Sequence, residues 1–520
     1  MRRGKSVNIR FLRKFLAPVV RYLTVLFLVA PGFLPGGVAA QQVNNEGGSR
    51  QPSVVFEPRV SLKHTATTNA QRRADGVSDQ ITEIIPGFRW VSDGPRVKGF
   101  ADYSLHAAHY ANDTNADRVW HDLKASAVVE AIEKWAFVDV SGVVSLRPIS
   151  AFGAPVDGLP SSNASQTSIF RISPYVRGQF GSVGEYLARY SAINTRTDAS
   201  NRSDVLVQDW LLHVGNKEHL VRWSADATHQ TADYSLGRQI ESSLLRGRVG
   251  YAFTPQLVVT GIGGIEASNQ ISPTRETFSL SGFGVAWQPS ARTRIVFERE
   301  NRYFGSAHDL HMEHRSGRTV FRYSDVKGLS AQGVESSSMG PLIDLLDGFY
   351  TQLEPDPIRR MQIVLAEIER LGLPQNTQVF PDFLKSSNTL RRVQQVSVAL
   401  LGQRSTITLT ASRSNNRALR GALDVGDDFD TNSSIRQQGW SVLLAHRLTP
   451  NASTHAIFSE QRNVGSVPGL ESRVRTFVLG WNMLLARHTN GAIQIRRALS
   501  DGPSNPYSES AIVGTITHRF

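Results

Sequence analysis

The chain has no cysteine among its 520 residues and only five methionines. Without cysteine there is neither a disulfide framework nor a thiolate metal site, so noncovalent pairing and packing must supply the stability. Long apolar runs are missing as well. Hydrophobic residues make up 40% and aromatics 8%, with a mean hydropathy of −0.24, which excludes a helical membrane protein. No nucleotide-binding glycine loop, HExxH or GxSxG pattern occurs, so an enzyme reading has no anchor, and neither a catalytic residue nor a cofactor is expected. The formal charge of +12 is less basic than it looks, because Arg2, Arg3, Lys5, Arg10, Arg13, Lys14 and Arg21 stand in the first forty residues with no acid beside them. The remainder carries +5 and no basic patch with interleaved aromatics, so a nucleic-acid partner is not expected.

Those basic residues precede an apolar stretch from Tyr22 to Leu34 and the small residues Val38-Ala39-Ala40. This reads as a secretory signal over residues 1–40, cleaved between Ala40 and Gln41, with a short periplasmic segment at 41–53. An uncleaved anchor is disfavoured, since about 13 apolar residues interrupted by Pro31 and Gly32 fall short of the roughly 20 a spanning helix needs.

From Val54 to Phe520 the chain alternates between apolar and small polar residues. Ile407, Leu409 and Ala411 interleave with Thr406, Thr408 and Thr410; Phe477, Leu479 and Trp481 interleave with a polar set that Val478 blurs. One face of each such strand suits lipid and the other a polar lumen, which predicts an all-β fold: a large antiparallel transmembrane β-barrel. A soluble sandwich strand alternates in the same way, but the length and number of strands argue against it.

Connections sort into two kinds. Tight turns such as Ser92-Asp93-Gly94-Pro95, Gly215-Asn216, Gln288-Pro289 and Thr449-Pro450 alternate with longer loops, including 149–167, 191–204, 412–433 and 499–509. Assigning tight turns to the periplasm and long loops to the outside gives about 22 strands (20 to 24) with both termini periplasmic. Phe520 ends the chain as an aromatic assembly signal for the barrel-assembly machinery, and proline falls at turns except for Pro174.

One segment departs from the alternation. Residues 340–374 carry helical spacing, with Asp356 as cap, Pro357 at the first helical position, and Gly372 with Pro374 at the end. It follows an ascending strand, so it belongs to the outer end or dips into the lumen.

Polar clusters point to lumen lining more than to chemistry. On a strand, His308 and His314 share a face while His311 points away, which disfavours a zinc site. Asp424, Asp427, Asp428 and Asp430 crowd one long loop without EF-hand spacing. Asp209 and His213 share a face about 13 Å apart, too far for a catalytic hydrogen bond. Together with Thr406, Thr408 and Thr410 they are the candidate lumen-facing residues.

Two stretches carry a family resemblance: Ile81 to Tyr110, with its Pro-Gly and Gly-Pro-Arg, and Asp356-Pro357-Ile358-Arg359-Arg360 leading to Leu371-Gly372-Leu373-Pro374. They resemble the PEP-CTERM-system-associated outer-membrane proteins, β-barrels of Gram-negative bacteria that make exopolysaccharide. The resemblance implies outer-membrane lipid and polysaccharide-export components as partners, and supplies no catalytic residues. The sequence expectation is thus a non-enzymatic outer-membrane channel or accessory component for exopolysaccharide, with a scaffold barrel as the alternative. A barrel hydrolase and a TonB-dependent transporter are weaker readings, the latter because strands start soon after the cleavage point.

Overall fold

Alternating β-branched and small polar residues leave each strand able to satisfy its backbone only by pairing on both sides, and the pairing closes on itself. The computed structural model describes residues 54–520 apart from 157–160, 182, 201, 217–218, 273, 331–341, 352, 372–382, 386–387 and 420–426. The cleavage point at Ala40 and Gln41, the whole of 1–53, Asp424, and the helix-ending Gly372 and Pro374 lie outside the described residues.

The first strands are β1 (Val54–Thr67), β2 (Asp79–Asp93), β3 (Val97–Tyr110), β4 (Arg118–Ile132), β5 (Ala136–Pro148), β6 (Ala164–Phe180), β7 (Gly184–Thr197) and β8 (Val205–Gly215). They continue as β9 (Val221–Tyr234), β10 (Ile240–Thr254), β11 (Leu257–Ser268), β12 (Glu276–Ser290), β13 (Thr293–Arg302), β14 (Gly305–Ser316) and β15 (Thr319–Ser330). After two helices, α1 (Leu342–Tyr350) and α2 (Pro357–Leu371), come β16 (Thr389–Leu401), β17 (Ser405–Ala418), β18 (Ser434–Thr449), β19 (Ala452–Gly465), β20 (Glu471–Ala486), β21 (Thr489–Asp501) and β22 (Tyr507–Arg519). Every neighbour pair is antiparallel, and β1 pairs with β22 from Arg59↔Arg519 to Thr67↔Ala511, so the 22-stranded sheet is a closed barrel. Closure removes the edge strands that would otherwise expose unpaired backbone groups to lipid.

The outward face carries the apolar members of the alternation, among them Leu62, Trp210, Leu245, Leu409 and Phe477, all exposed. This apolar exterior is what makes the barrel a transmembrane one. All the tight turns read from the sequence fall at one end of the barrel and the loops at the other.

Two details differ from the sequence reading. The loops are shorter, because β7 runs on past Ser191 to Thr197 and β17 past Ser412 to Ala418. There the outward positions turn from apolar to Asn and Arg, which hides the alternation while the ladder continues. Pro174 is also not alone, since Pro86 lies inside β2. Each proline keeps its Cα partner on one neighbouring strand and interrupts the ladder on the other, between Ile172 and Tyr175 against β7 and between Ile84 and Gly87 against β3. That is where a missing N–H costs the least.

Candidate functional site

The lumen wall is built from paired charges. On β3, Asp102 accepts from Arg59 and from Arg89 (3.0 Å). Fully buried Glu83 meets Lys63 at 2.7 Å and His106 at 3.4 Å. Across β10 to β13, Arg246 and Arg248 reach over two strands to Glu300 (2.9 Å) and Glu298 (3.0 Å). Three of the inward positions between them are Gly264, Gly282 and Gly284, alongside Thr260, Ile262 and Leu280, and a Cβ at Gly282 would collide with the Arg299 carbonyl oxygen. Pairing of this kind keeps charges tolerable inside a narrow lumen, where an unmatched one is costly.

The helical insertion lies inside the barrel. Asp356 caps α2, its Oδ1 accepting from the Ile358 N–H at 2.9 Å, and Pro357 occupies the first turn, where its missing N–H costs nothing. Ile343, Leu346 and Phe349 of α1 and Met361, Val364, Leu365 and Ile368 of α2 bury together. They pack on the inward residues Phe100, Ala399, Leu443, Ala445, Ile457 and Val478. Phe100, Ala399 and Ala445 lie within a few residues of the tight turns, so the hairpin reaches deep toward that end. Its tip is tied there by Arg359–Asp93 (3.6 Å) and Lys98–Asp356 (3.7 Å), and Arg360–Asp347 (3.0 Å) joins the two helices. Of the two locations the sequence leaves open, the structure selects the lumen.

Loops fold inward at the opposite end. Phe152, Phe383, Phe429 and Ile435 form one buried cluster there. Asp428 accepts from Ser150 Oγ (3.1 Å) and the Ala151 N–H (2.8 Å), and burial pushes its carboxyl above the ordinary range. The Asn463 amide donates to the Ala151 carbonyl (2.5 Å), and Tyr234 donates to Asn388 (2.9 Å). Arg72, carried by the β1–β2 loop, meets buried Glu509 at 3.1 Å, and Arg496 meets the same carboxylate at 2.7 Å.

Between α2 and the wall of β1, β3, β4 and β19 to β22 remains a cavity of about 700 Å³. Its lining runs from Pro450 and Asn451 at the tight-turn end to Pro155 and Val156 of the loop cap. One side is apolar, formed by Met361, Leu365 and Ile368; the other is polar. Arg59, Lys63, Lys124, Arg447, Arg496 and Arg519 line it against Asp102 and Asp122. Arg59, Lys63 and Arg496 are matched by Asp102, Glu83 and Glu509, so the surface left to a solute is polar with a modest surplus of cations, suited to anionic or polyhydroxylated groups.

Thr406, Thr408 and Thr410 lie on the inward face of β17, each buried. Asp209 and His213 share the inward face of β8, opposite in parity to exposed Trp210 and Leu212. They do not meet: His213 Nδ1 bonds Asp226 on β9 at 2.6 Å. His308 and His314 share the outward face, beside Asp325 (2.9 Å) and Thr293 (2.8 Å), with His311 on the other. Among the described residues no group of three or more potential ligands stands ready for a metal. Phe520 follows β22, exposed and edge-on to His518. The residues missed from sequence are the inward apolar ones under the hairpin. Their signal was present, since Val478 is the position that blurred the polar face.

No protein-family model matches the chain, and no curated protein matches it. Among solved structures it is similar to the siderophore receptor PirA from Pseudomonas aeruginosa, at 8% identity and a TM-score of 0.43 over 91% of this chain and 82% of that one. A mutant of the ferric enterobactin receptor PfeA from the same organism, in complex with enterobactin, is similar at 9% identity and TM-score 0.46, over 89% and 81%. Pseudomonas aeruginosa OccK5 (OpdH) is similar at 10% and 0.36, over 89% and 98%. Likenesses this distant say nothing of a substrate.

Proposed function

We propose that the protein is an outer-membrane channel whose lumen is narrowed by its own helical hairpin, and that it serves exopolysaccharide export or surface assembly in a PEP-CTERM-linked system. The tight-turn end faces the periplasm and the loop cap faces outward. The observation that carries the channel reading is the cation-lined cavity running beside α2 from the turns to the cap. The polysaccharide reading draws on the stretches at Ile81 to Tyr110 and Asp356 to Pro374, and on the suitability of a polar, cation-rich wall for sugar hydroxyls and acidic sugars.

Planar-bilayer recording of the refolded protein tests both parts. Deleting residues 341–374 is expected to raise conductance, and acidic oligosaccharides are expected to block that current more strongly than neutral ones of equal length. A form that stays silent with and without the insertion would leave a structural barrel as the reading. That second reading draws its support from the lumen being filled near the turns and covered at the loops.

A further inference from the structure

Above the apolar band, one sector of the outward face is crowded with arginine. Antiparallel register sets Arg392, Asn415 and Arg436 on one rung across β16, β17 and β18. The next rung toward the turns holds Gln394, Arg413, Gln438, Arg462 and Arg473 on β16 to β20. Arg417 stands on β17 beyond Asn415. Directly below come the lipid-facing Leu409, Trp440, Phe458 and Phe477, all exposed. Three of the arginines are held by carboxylates: Arg392 by Asp325 (2.6 Å), Arg462 by Glu471 (2.7 Å) and Arg473 by Glu460 (2.9 Å). Arg413, Arg417 and Arg436 are exposed and make no ion pair among the described residues.

The concentration is densest in this sector; other outward cations near the loop end include Arg275 beside β12, Arg299 on β13 and Lys327 on β15, one to a strand. Comparable outward positions on β3 to β8 are His109, Val119, Gln166, Asn194 and Leu206, with Arg196 as an isolated cation. Solubility alone would spread charge around the rim. A cluster of unpaired guanidiniums at the boundary between apolar band and loops instead needs anions at that height, and the planar fork of arginine fits phosphate bidentately.

We infer that this face docks a phosphorylated glycolipid of the outer leaflet, its phosphates on Arg413, Arg417 and Arg436 and its acyl chains against Leu409, Trp440, Phe458 and Phe477. The inference rests on the outer-membrane orientation proposed above, but not on conduction. Gln438 lies exposed beside the cations on the same rung, suited to hydrogen-bond sugar hydroxyls, while the Gln394 amide donates to Asp325 at 3.1 Å.

The test uses the full-length refolded protein in detergent, native mass spectrometry, and two probes: an acylated disaccharide bisphosphate and the same lipid without phosphates. Wild type is expected to retain the phosphorylated probe about tenfold better or more. Arg413→Gln/Arg417→Gln/Arg436→Gln is expected to lose that preference while keeping the heat-dependent gel shift of a folded barrel. Arg436→Gln alone, the milder variant, is expected to lose part of it, and Arg196→Gln none. Equal retention of both probes by wild type, or an unchanged preference in the substituted forms, would overturn the inference. So would displacement by the deacylated headgroup as effective as by the whole lipid, which marks a site for a soluble anion. None of these outcomes depends on whether the barrel conducts.

Discussion

Glu509 is buried between Arg72 and Arg496, with Thr67 donating a further hydrogen bond at 3.0 Å. Removing its charge strands two guanidiniums away from water, so Glu509→Gln is expected to cost about 3–5 kcal/mol. The measurable consequence is a lower temperature for loss of the gel shift, and earlier proteolysis of the β1–β2 loop that carries Arg72. Asp428 gives the cap a pH dependence. Burial raises its carboxyl pKa, so the docked cap binds the proton more tightly than the undocked one. The cap is therefore expected to tighten as pH falls through the raised value, with no further gain below the ordinary aspartate pKa of about 3.9. Hydrogen exchange at Ser150 and Ala151 reads this directly; Asp428→Asn is expected to flatten the profile, and protection that falls on acidification would contradict it. Parity at this scale was readable from the sequence, as the shared face of Asp209 and His213 shows. Partners were not, because the contact of His213 with Asp226 depends on the register between β8 and β9.

At the scale of elements, strands and turns were legible because two-residue alternation and Gly/Pro punctuation are local signals. The upper parts of β7 and β17 were not, since their outward residues leave the lipid and lose the apolar half of the pattern. The helices were legible too, down to the Asp356 cap. Their position was not, because it is set by inward apolar residues scattered over five strands. Phe100, Ala399, Leu443, Ala445, Ile457 and Val478 each look like a flaw in one strand's alternation and make sense only as a shared footprint. A charge placed in that footprint should release the hairpin while sparing the wall. Ile368→Asp is expected to raise conductance toward that of the deletion with the gel shift retained, since an unpaired buried carboxylate costs several kcal/mol. Conductance equal to wild type would mean that the packing does not hold the hairpin.

The whole molecule is a wall plus two closures: a hairpin packed low in the lumen and a loop cap at the other end. A barrel of 22 strands is wide enough to enclose a plug, and here the plug comes from between β15 and β16. The conductance expected of the barrel follows from where that hairpin sits. The chain's lack of cysteine allows this to be measured without background. Asp93→Cys/Arg359→Cys puts one thiol at the β2–β3 turn and the other at the start of α2, replacing an ion pair of 3.6 Å. Treated with a short bis-maleimide in the folded barrel, the two are expected to crosslink within one chain, giving a product that protease cleavage between residues 331 and 341 does not separate. Absence of that crosslink, in a barrel that still shows its gel shift and whose thiols both react with a monofunctional maleimide, would place the hairpin outside the lumen and contradict the account.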